Sequence, residues 1–270
     1  MALEQVAERG LVLLGCGKMG SALLSGWLDA GLPPNSVWVL DPNPSDWLRA
    51  SGVHVNQGIP PAPAVALLAV KPQMMGAALP SLQALGNGST LVVSIAAGTS
   101  IASFEAVFGP RTPIVRTMPN TPAMVGRGIT GIVGNAHAGA AGLALAEDLM
   151  LAVGQVVRLD NEGQIDAVTG LSGSGPAYVF HLIEAMAQAG IAQGLSPEIA
   201  MKLARATVCG AGELAHRAPD SAEQLRINVT SPGGTTAAAL AHLMDPVTGL
   251  PPLMARAVAA ATQRGRELSQ

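Results

Sequence analysis

Short unbroken apolar runs recur through the first half of the chain, each closed by glycine, proline or a polar residue. Leu11 to Leu14, Val37 to Leu40, Ala64 to Val70, Thr90 to Ile95 and Pro113 to Arg116 are such runs. Continuous apolar segments of this length, rich in β-branched residues, read as strands buried on both faces. Between them, Met19 to Ala30, Gln73 to Leu85 and Ser100 to Phe108 are helix-like. The alternation predicts a parallel sheet covered by helices on both sides, a doubly wound α/β arrangement. Ile129 to Val133, Gly139 to Leu151 and Gln155 to Leu159 finish it in strand, helix, strand order. From about Asn161 the pattern changes. Ala, Leu and Met recur at helical spacing through Tyr178 to Gly194, Pro197 to Arg217 and Leu253 to Leu268, with no convincing strand among them. We therefore place a boundary near residue 160, with an α/β domain over 1–160 and an all-helical domain over 161–270.

Composition narrows the classes of function. With 49% hydrophobic and only 12% charged residues the chain reads as folded and well buried. A net charge of -3 and an aromatic content of 3% give neither the electrostatics nor the stacking surface that nucleic acid requires. No apolar run approaches the roughly 20 residues that cross a bilayer, so no membrane partner is expected. The opening MALEQVAERG puts acids before the first apolar run and has no basic leader, which predicts a cytoplasmic protein. Cys16 and Cys209 lack metal-ligand spacing and read as reduced, buried, small apolar residues. The five histidines are scattered, so no metal is expected.

Candidate chemistry begins at LVLLGCGKMGSALL, residues 11–24. In a G-x-G-x-x-G turn between strand and helix, Gly15 allows the tight turn, Gly17 lets the backbone approach a pyrophosphate, and Gly20 lets helix pack on strand. Phosphate would sit at the positive end of the following helix. Such a turn alone is weak evidence, but Asp41 ends the next strand at about the 20-residue distance of a ribose contact. A carboxylate there repels a 2′-phosphate, and Pro42-Asn43-Pro44 offers no offsetting cation. NADH is therefore expected to serve at least as well as NADPH. The structural alternative is that Asp41 caps a turn with Asn43 and Ser45. Lys71, after a buried strand, and the SIAAGT segment, Ser94 to Thr99, should line the same crevice, the structural alternative for Lys71 being a solvated strand terminus.

Three further motifs are too unusual for loop filler: MPNTP (Met118 to Pro122), AVTGLSGSGPAY (Ala167 to Tyr178) and LRINVTSPGGTTAAAL (Leu225 to Leu240). With the glycine turn, AVKP and SIAAG they follow, in order and over nearly the whole chain, the pattern of the pyrroline-5-carboxylate reductase family, which this sequence resembles. The resemblance implies a Rossmann-type domain followed by an all-helical dimerisation domain, and reduction of 1-pyrroline-5-carboxylate to L-proline by NADPH or NADH. It places cofactor contacts on Gly15, Cys16, Gly17, Lys18, Met19, Gly20, Asn56, Val70, Lys71, Ala96, Ala97, Asn120 and Asn228, to which the reading above adds Asp41. It places substrate contacts on Ser231, Gly233, Gly234, Thr235 and Thr236, with the Thr236 hydroxyl beside the imine nitrogen. Small residues in SPGGTT would expose N–H groups at a helix start near Thr235, an anion site without formal charge. An ordinary N-cap by Ser231 or Thr235 would use the same residues. The resemblance further implies a homodimer, dimers that assemble further, and a site between one subunit's nucleotide domain and its partner's helical domain. Two features depart from the family: Ser221-Ala222 replace a common His-Pro pair, and Asp41 stands where a small polar residue is usual.

Overall fold

A computed structural model describes residues 2–268, and the chain divides into two compact units, one up to Gly173 together with the residues from Ala261 on, the other Ser174–Ala260. In the first unit the order is α1 (Ala2–Arg9), β1 (Leu11–Leu14), α2 (Lys18–Asp29), β2 (Val37–Leu40), α3 (Asp46–Ala50), β3 (His54–Val55), β4 (Val65–Leu68), α4 (Pro72–Ala78), β5 (Leu91–Ser94) and α5 (Ile101–Phe108). There follow β6 (Ile114–Met118), β7 (Gly128–Gly134), α6 (Gly139–Leu151), β8 (Gly154–Arg158) and α7 (Ile165–Val168). The eight strands form one sheet in the order β3-β2-β1-β4-β5-β6-β7-β8.

Alternation along each strand feeds two cores. Leu11 and Leu13 join Val6, Leu23, Leu24, Trp27, Leu149 and Met150 on one face. Val12 and Leu14 join Met75, Leu82, Phe104 and Phe108 on the other. Each such side chain contributes about 1.5–3 kcal/mol by leaving water, which is why β1 and β4 are apolar at every position and β5 at all but its last, Ser94. Trp27 is fully buried, and its indole N–H donates to the carbonyl of Leu149 at 2.8 Å, joining α2 to α6.

The sheet departs from an all-parallel reading at one place. β7 runs antiparallel to β6, and β8 is parallel to β7. The connection from Met118 to Gly128 is too short for a crossover helix, so the chain turns back beside β6. The helix expected over Gln73 to Leu85 is α4 followed by a 3-10 run, Leu79–Leu85. Pro80 near the start of that run has no N–H to continue an α-helix. The division of the chain lies after Gly173, later than the boundary near residue 160 read from sequence. Residues 162–173 stay with the sheet because Ile165 is buried and Glu162 bonds to Arg116 and to the N–H of Ile101.

The second unit holds α8 (Gly175–Ala192), α9 (Pro197–Arg217), α10 (Ala222–Asn228), α11 (Thr235–Leu243) and the first part of α12 (Leu250–Leu268). Its interior is small: Ala187, Ala200 and Ala204 with Ile183 and Ile191 around them. Phe180, Ile199, Leu203 and Leu214 are all more than half exposed, so the helices carry far more apolar surface than they bury within this unit. Cys209, expected to be buried, is exposed on α9, whose inward positions are taken by Ala200 and Ala204.

Candidate active site

The glycine turn opens at the carboxyl end of β1, between β2 and β4 in the sheet, where strand order reverses and a crevice forms. Each glycine has its own reason. Gly15 has φ +89, and a Cβ there would lie 2.8 Å from the Val70 side chain. A Cβ on Gly20 would lie 2.5 Å from the carbonyl oxygen of Gly15, so helix and turn meet at backbone distance. Around Gly17 nothing lies within 4 Å of that position, and the backbone there faces open space. Gly17 is also the N-cap of α2 and gives it no side-chain bond. The first N–H groups of a 12-residue helix are thus offered outward beside a bare backbone, the arrangement that holds a pyrophosphate. These residues fit a dinucleotide.

Asp41 follows β2 and its carboxylate is fixed by two backbone donors. Cys16 N–H gives 2.6 Å to Oδ2 and Asn43 N–H gives 2.7 Å to Oδ1. The turn-capping alternative and the tie to the glycine turn are therefore both present, while Ser45 caps α3 separately through Leu48 N–H. Asn56, with φ +53, spends both ends of its amide on Asp41: Oδ1 accepts the Asp41 N–H at 3.0 Å and Nδ2 donates to its carbonyl at 2.8 Å. Burial and the Asp41 carboxylate push the Cys16 thiol up to about 11, so Cys16 is neutral near pH 7 and offers the site no thiolate. Beside the turn, Lys18, Ser21, Ser25, Ser45, Trp47 and Met124 border a cleft of about 370 Å³.

Val70 and Lys71 follow β4, Ala96 and Ala97 follow β5, and Asn120 follows β6. All therefore stand at carboxyl ends of the parallel strands with the glycine turn. Ser94 shapes the loop after β5 by accepting the Ala96 N–H at 3.2 Å. Asn120 is buried; its Oδ1 accepts the Ile129 N–H at 2.9 Å and its Nδ2 donates to the Ser172 carbonyl at 3.2 Å. That amide joins the MPNTP turn to β7 and to the single π-helical turn Thr169–Gly173. One pair escaped the reading by motifs: Arg116 in β6 with Glu162, at 2.8 Å. An arginine inside a buried strand run was the available signal.

In the second unit, Asn228 ends α10 and accepts from Gln224 at 2.8 Å. Ser221 caps α10 through the Gln224 N–H, the local use of the residue that replaces histidine. The SPGG segment turns on Gly233, φ +71, with Gly234 N–H bonded to the Ser231 carbonyl at 3.0 Å. Gly234 is the N-cap of α11 and supplies no side-chain bond, so neither Ser231 nor Thr235 is the cap. Thr235 and Thr236 form the first turn of that nine-residue helix, beside its uncapped N–H groups.

Comparison with known proteins gives consistent results. Residues 162–268 match the family model described as pyrroline-5-carboxylate reductase dimerisation, and residues 10–98 match one described as NADP oxidoreductase, coenzyme F420-dependent. A pyrroline-5-carboxylate reductase of Pseudomonas aeruginosa is 40% identical over 266 residues, covering 96% of this chain and 97% of that one. The structure of a pyrroline-5-carboxylate reductase from Coxiella burnetii superposes with a TM-score of 0.89 at 35% identity, over 97% of this chain and 99% of that one. The Plasmodium falciparum pyrroline carboxylate reductase with NADP bound gives 0.82 at 28% identity, over 97% and 98%.

Proposed function

The chain belongs to the pyrroline-5-carboxylate reductase family, and from that premise we propose how its residues divide the work of turning 1-pyrroline-5-carboxylate into L-proline. It is an NAD(P)H-dependent oxidoreductase of proline biosynthesis. A bound reduced nicotinamide supplies hydride to the imine carbon, and a proton at nitrogen completes the secondary amine.

The observation that carries the assignment of residues is the capping of two helices. Serines 45, 100, 196 and 221 cap α3, α5, α9 and α10 through side-chain bonds. α4, α6, α7 and α8 also start without a side-chain cap, but at α2 and α11 the N-cap is itself a glycine, so no side chain stands beside the first N–H groups. Both helix starts follow the motifs that need an anion: α2 for the cofactor pyrophosphate, α11 for the substrate carboxylate. Gly15, Cys16, Gly17, Lys18, Met19 and Gly20 hold the pyrophosphate, Asp41 with Asn56 behind it takes a ribose hydroxyl, and Val70, Lys71, Ala96, Ala97 and Asn120 border the path to the nicotinamide. Asn228 stands near the substrate loop. Ser231, Gly233, Gly234 and Thr235 hold the substrate carboxylate, and Thr236 places its hydroxyl at the imine nitrogen. A threonine hydroxyl is a poor acid, so Thr236 orients and polarises an imine that is already protonated, with solvent or substrate as proton source.

Each oxygen of the Asp41 carboxylate takes one backbone N–H and keeps capacity for a ribose hydroxyl. A 2′-phosphate would meet a fixed negative charge there. We expect purified protein to oxidise NADH with pyrroline-5-carboxylate at least as efficiently as NADPH, with proline as product. An NADPH preference of about tenfold or more overturns the role of Asp41. No oxidation of either cofactor by protein that binds nucleotide overturns the reductase reading.

The dimerisation region carries the exposed apolar side chains of α8 and α9, and the protein is at least a homodimer through it. Light scattering reads the mass directly: twice the chain or a multiple is expected, and a monomer at working concentration excludes it. No helix among the described residues is long and apolar enough to cross a membrane. Two free cysteines suit a reducing compartment, and the cytoplasm is where we place the enzyme.

A further inference from the structure

We propose that Arg116 and Glu162 form a positioning clasp for the cofactor end of the first unit, a role that rests on the reductase reading above. Arg116 is 3% exposed, in a strand whose neighbouring residues are apolar or small. Its Nη1 lies 2.8 Å from Glu162 Oε1, and the same oxygen accepts the Ile101 N–H at 2.8 Å. One carboxylate oxygen thus binds β6 to the first residue of α5. Ile101 closes the loop that begins after Ser94 and carries Ala96 and Ala97. At the other end of the same segment, the Ser172 carbonyl takes the amide of Asn120. The segment from Glu162 to Ser172 is therefore fastened twice to β6 and its exit, and once to the loop after β5.

The energetics make a purely stabilising role a poor account of this pair. The Arg116 Nε and Nη2 are buried and have no hydrogen-bond partner among the described residues. A guanidinium taken out of water with part of its donor set unmet is costly, and well-packed apolar residues often replace such a pair without loss of stability. What apolar residues cannot replace is a shared acceptor that fixes Ile101 N–H and β6 at one point. Two backbone segments assigned to the cofactor, 96–97 and the exit of β6 at Asn120, take their spacing from it.

The test separates position from stability. The double variant Arg116→Met with Glu162→Leu removes both charges and the tether. Glu162→Gln keeps an acceptor for the Ile101 N–H but leaves the Arg116 guanidinium without its counter-charge, so it is expected to melt below the double variant while still holding the loop. Thermal melting, NADH and NADPH titration by cofactor fluorescence, and kcat and KM for both substrates are measured on each. The clasp predicts that the double variant melts within a few degrees of wild type yet binds reduced cofactor about tenfold more weakly. Its kcat falls about tenfold or more, since small misplacements at a reacting centre are costly, and its KM for pyrroline-5-carboxylate stays within about twofold. Glu162→Gln should recover most of the cofactor affinity. Wild-type affinity and kcat in the double variant, or losses that track the melting temperature alone across both variants, overturn the clasp. If wild type turns over neither cofactor, the reductase reading fails, and the cofactor titrations still judge the clasp by themselves.

Discussion

Replacing Thr236 by valine is expected to lower kcat on the order of 10²-fold, the scale of losing one hydrogen-bonding group aimed at a reacting atom. Valine keeps the shape of threonine with a methyl group in place of the hydroxyl, and the two have similar helix propensity. Thr236 sits in the first turn of α11 without acting as its N-cap, which is Gly234, so the melting temperature should hardly move. Affinity for NAD(P)H should change by no more than about twofold, because the assigned cofactor turn is on another helix. Steady-state rates with pyrroline-5-carboxylate, with nucleotide titration alongside, make the measurement. Unchanged turnover removes Thr236 from the mechanism and leaves the α11 N-terminus as a carboxylate site only.

Gly17→Ala and Gly20→Ala should fail in different ways. At Gly17 the backbone angles, φ -71 and ψ -159, suit any residue, and an added methyl meets nothing within 4 Å. The variant should melt as wild type does, while the methyl occupies the approach of the pyrophosphate and costs on the order of 10²-fold in cofactor affinity, the upper range of a small overpacking penalty. At Gly20 the methyl would sit 2.5 Å from the Gly15 carbonyl oxygen. Helix and turn must then part, so both stability and binding fall. Nucleotide titration and thermal melting on the two proteins decide; wild-type affinity in Gly17→Ala would show that phosphate does not pass there.

The glycine turn was the most legible part of the candidate site, because each of its three roles needs a residue without a side chain. The strands β1, β2, β4, β5 and β6 were legible for a related reason: burial leaves few polar positions in them, Ser94, Arg116 and Thr117 being the exceptions. Short elements were not. α1, α3 and β3 span 8, 5 and 2 residues, too few for a period to declare itself, and β3 exists because Trp38 and Val39 offer it an edge. The reversal at β7 depends on the length of a connection, and apolar runs look alike in either direction. Asn56 and Asn120 were legible as residues of interest by resemblance, but what their amides hold lies far along the chain. Asn120 reaches Ser172 across 52 positions, a distance no local spacing encodes. Arg116 was read only as the end of a strand, since a lone charge in an apolar run does not name its partner.

The bond from Trp27 to Leu149 spans 122 positions, and it bears on the order in which the enzyme becomes competent during synthesis. The glycine turn is translated among the first residues, yet the helix behind it is tied to α6. Gly26 of that helix also lies where a Cβ would come within 2.5 Å of Val153. Until the ribosome has released α6 and the chain beyond it, α2 can pack only on α1 and the first strands, and the Trp27 indole N–H lacks its acceptor. Contacts of such long range are slow to form and leave apolar surface open meanwhile. The glycine turn is thus encoded early and finished late.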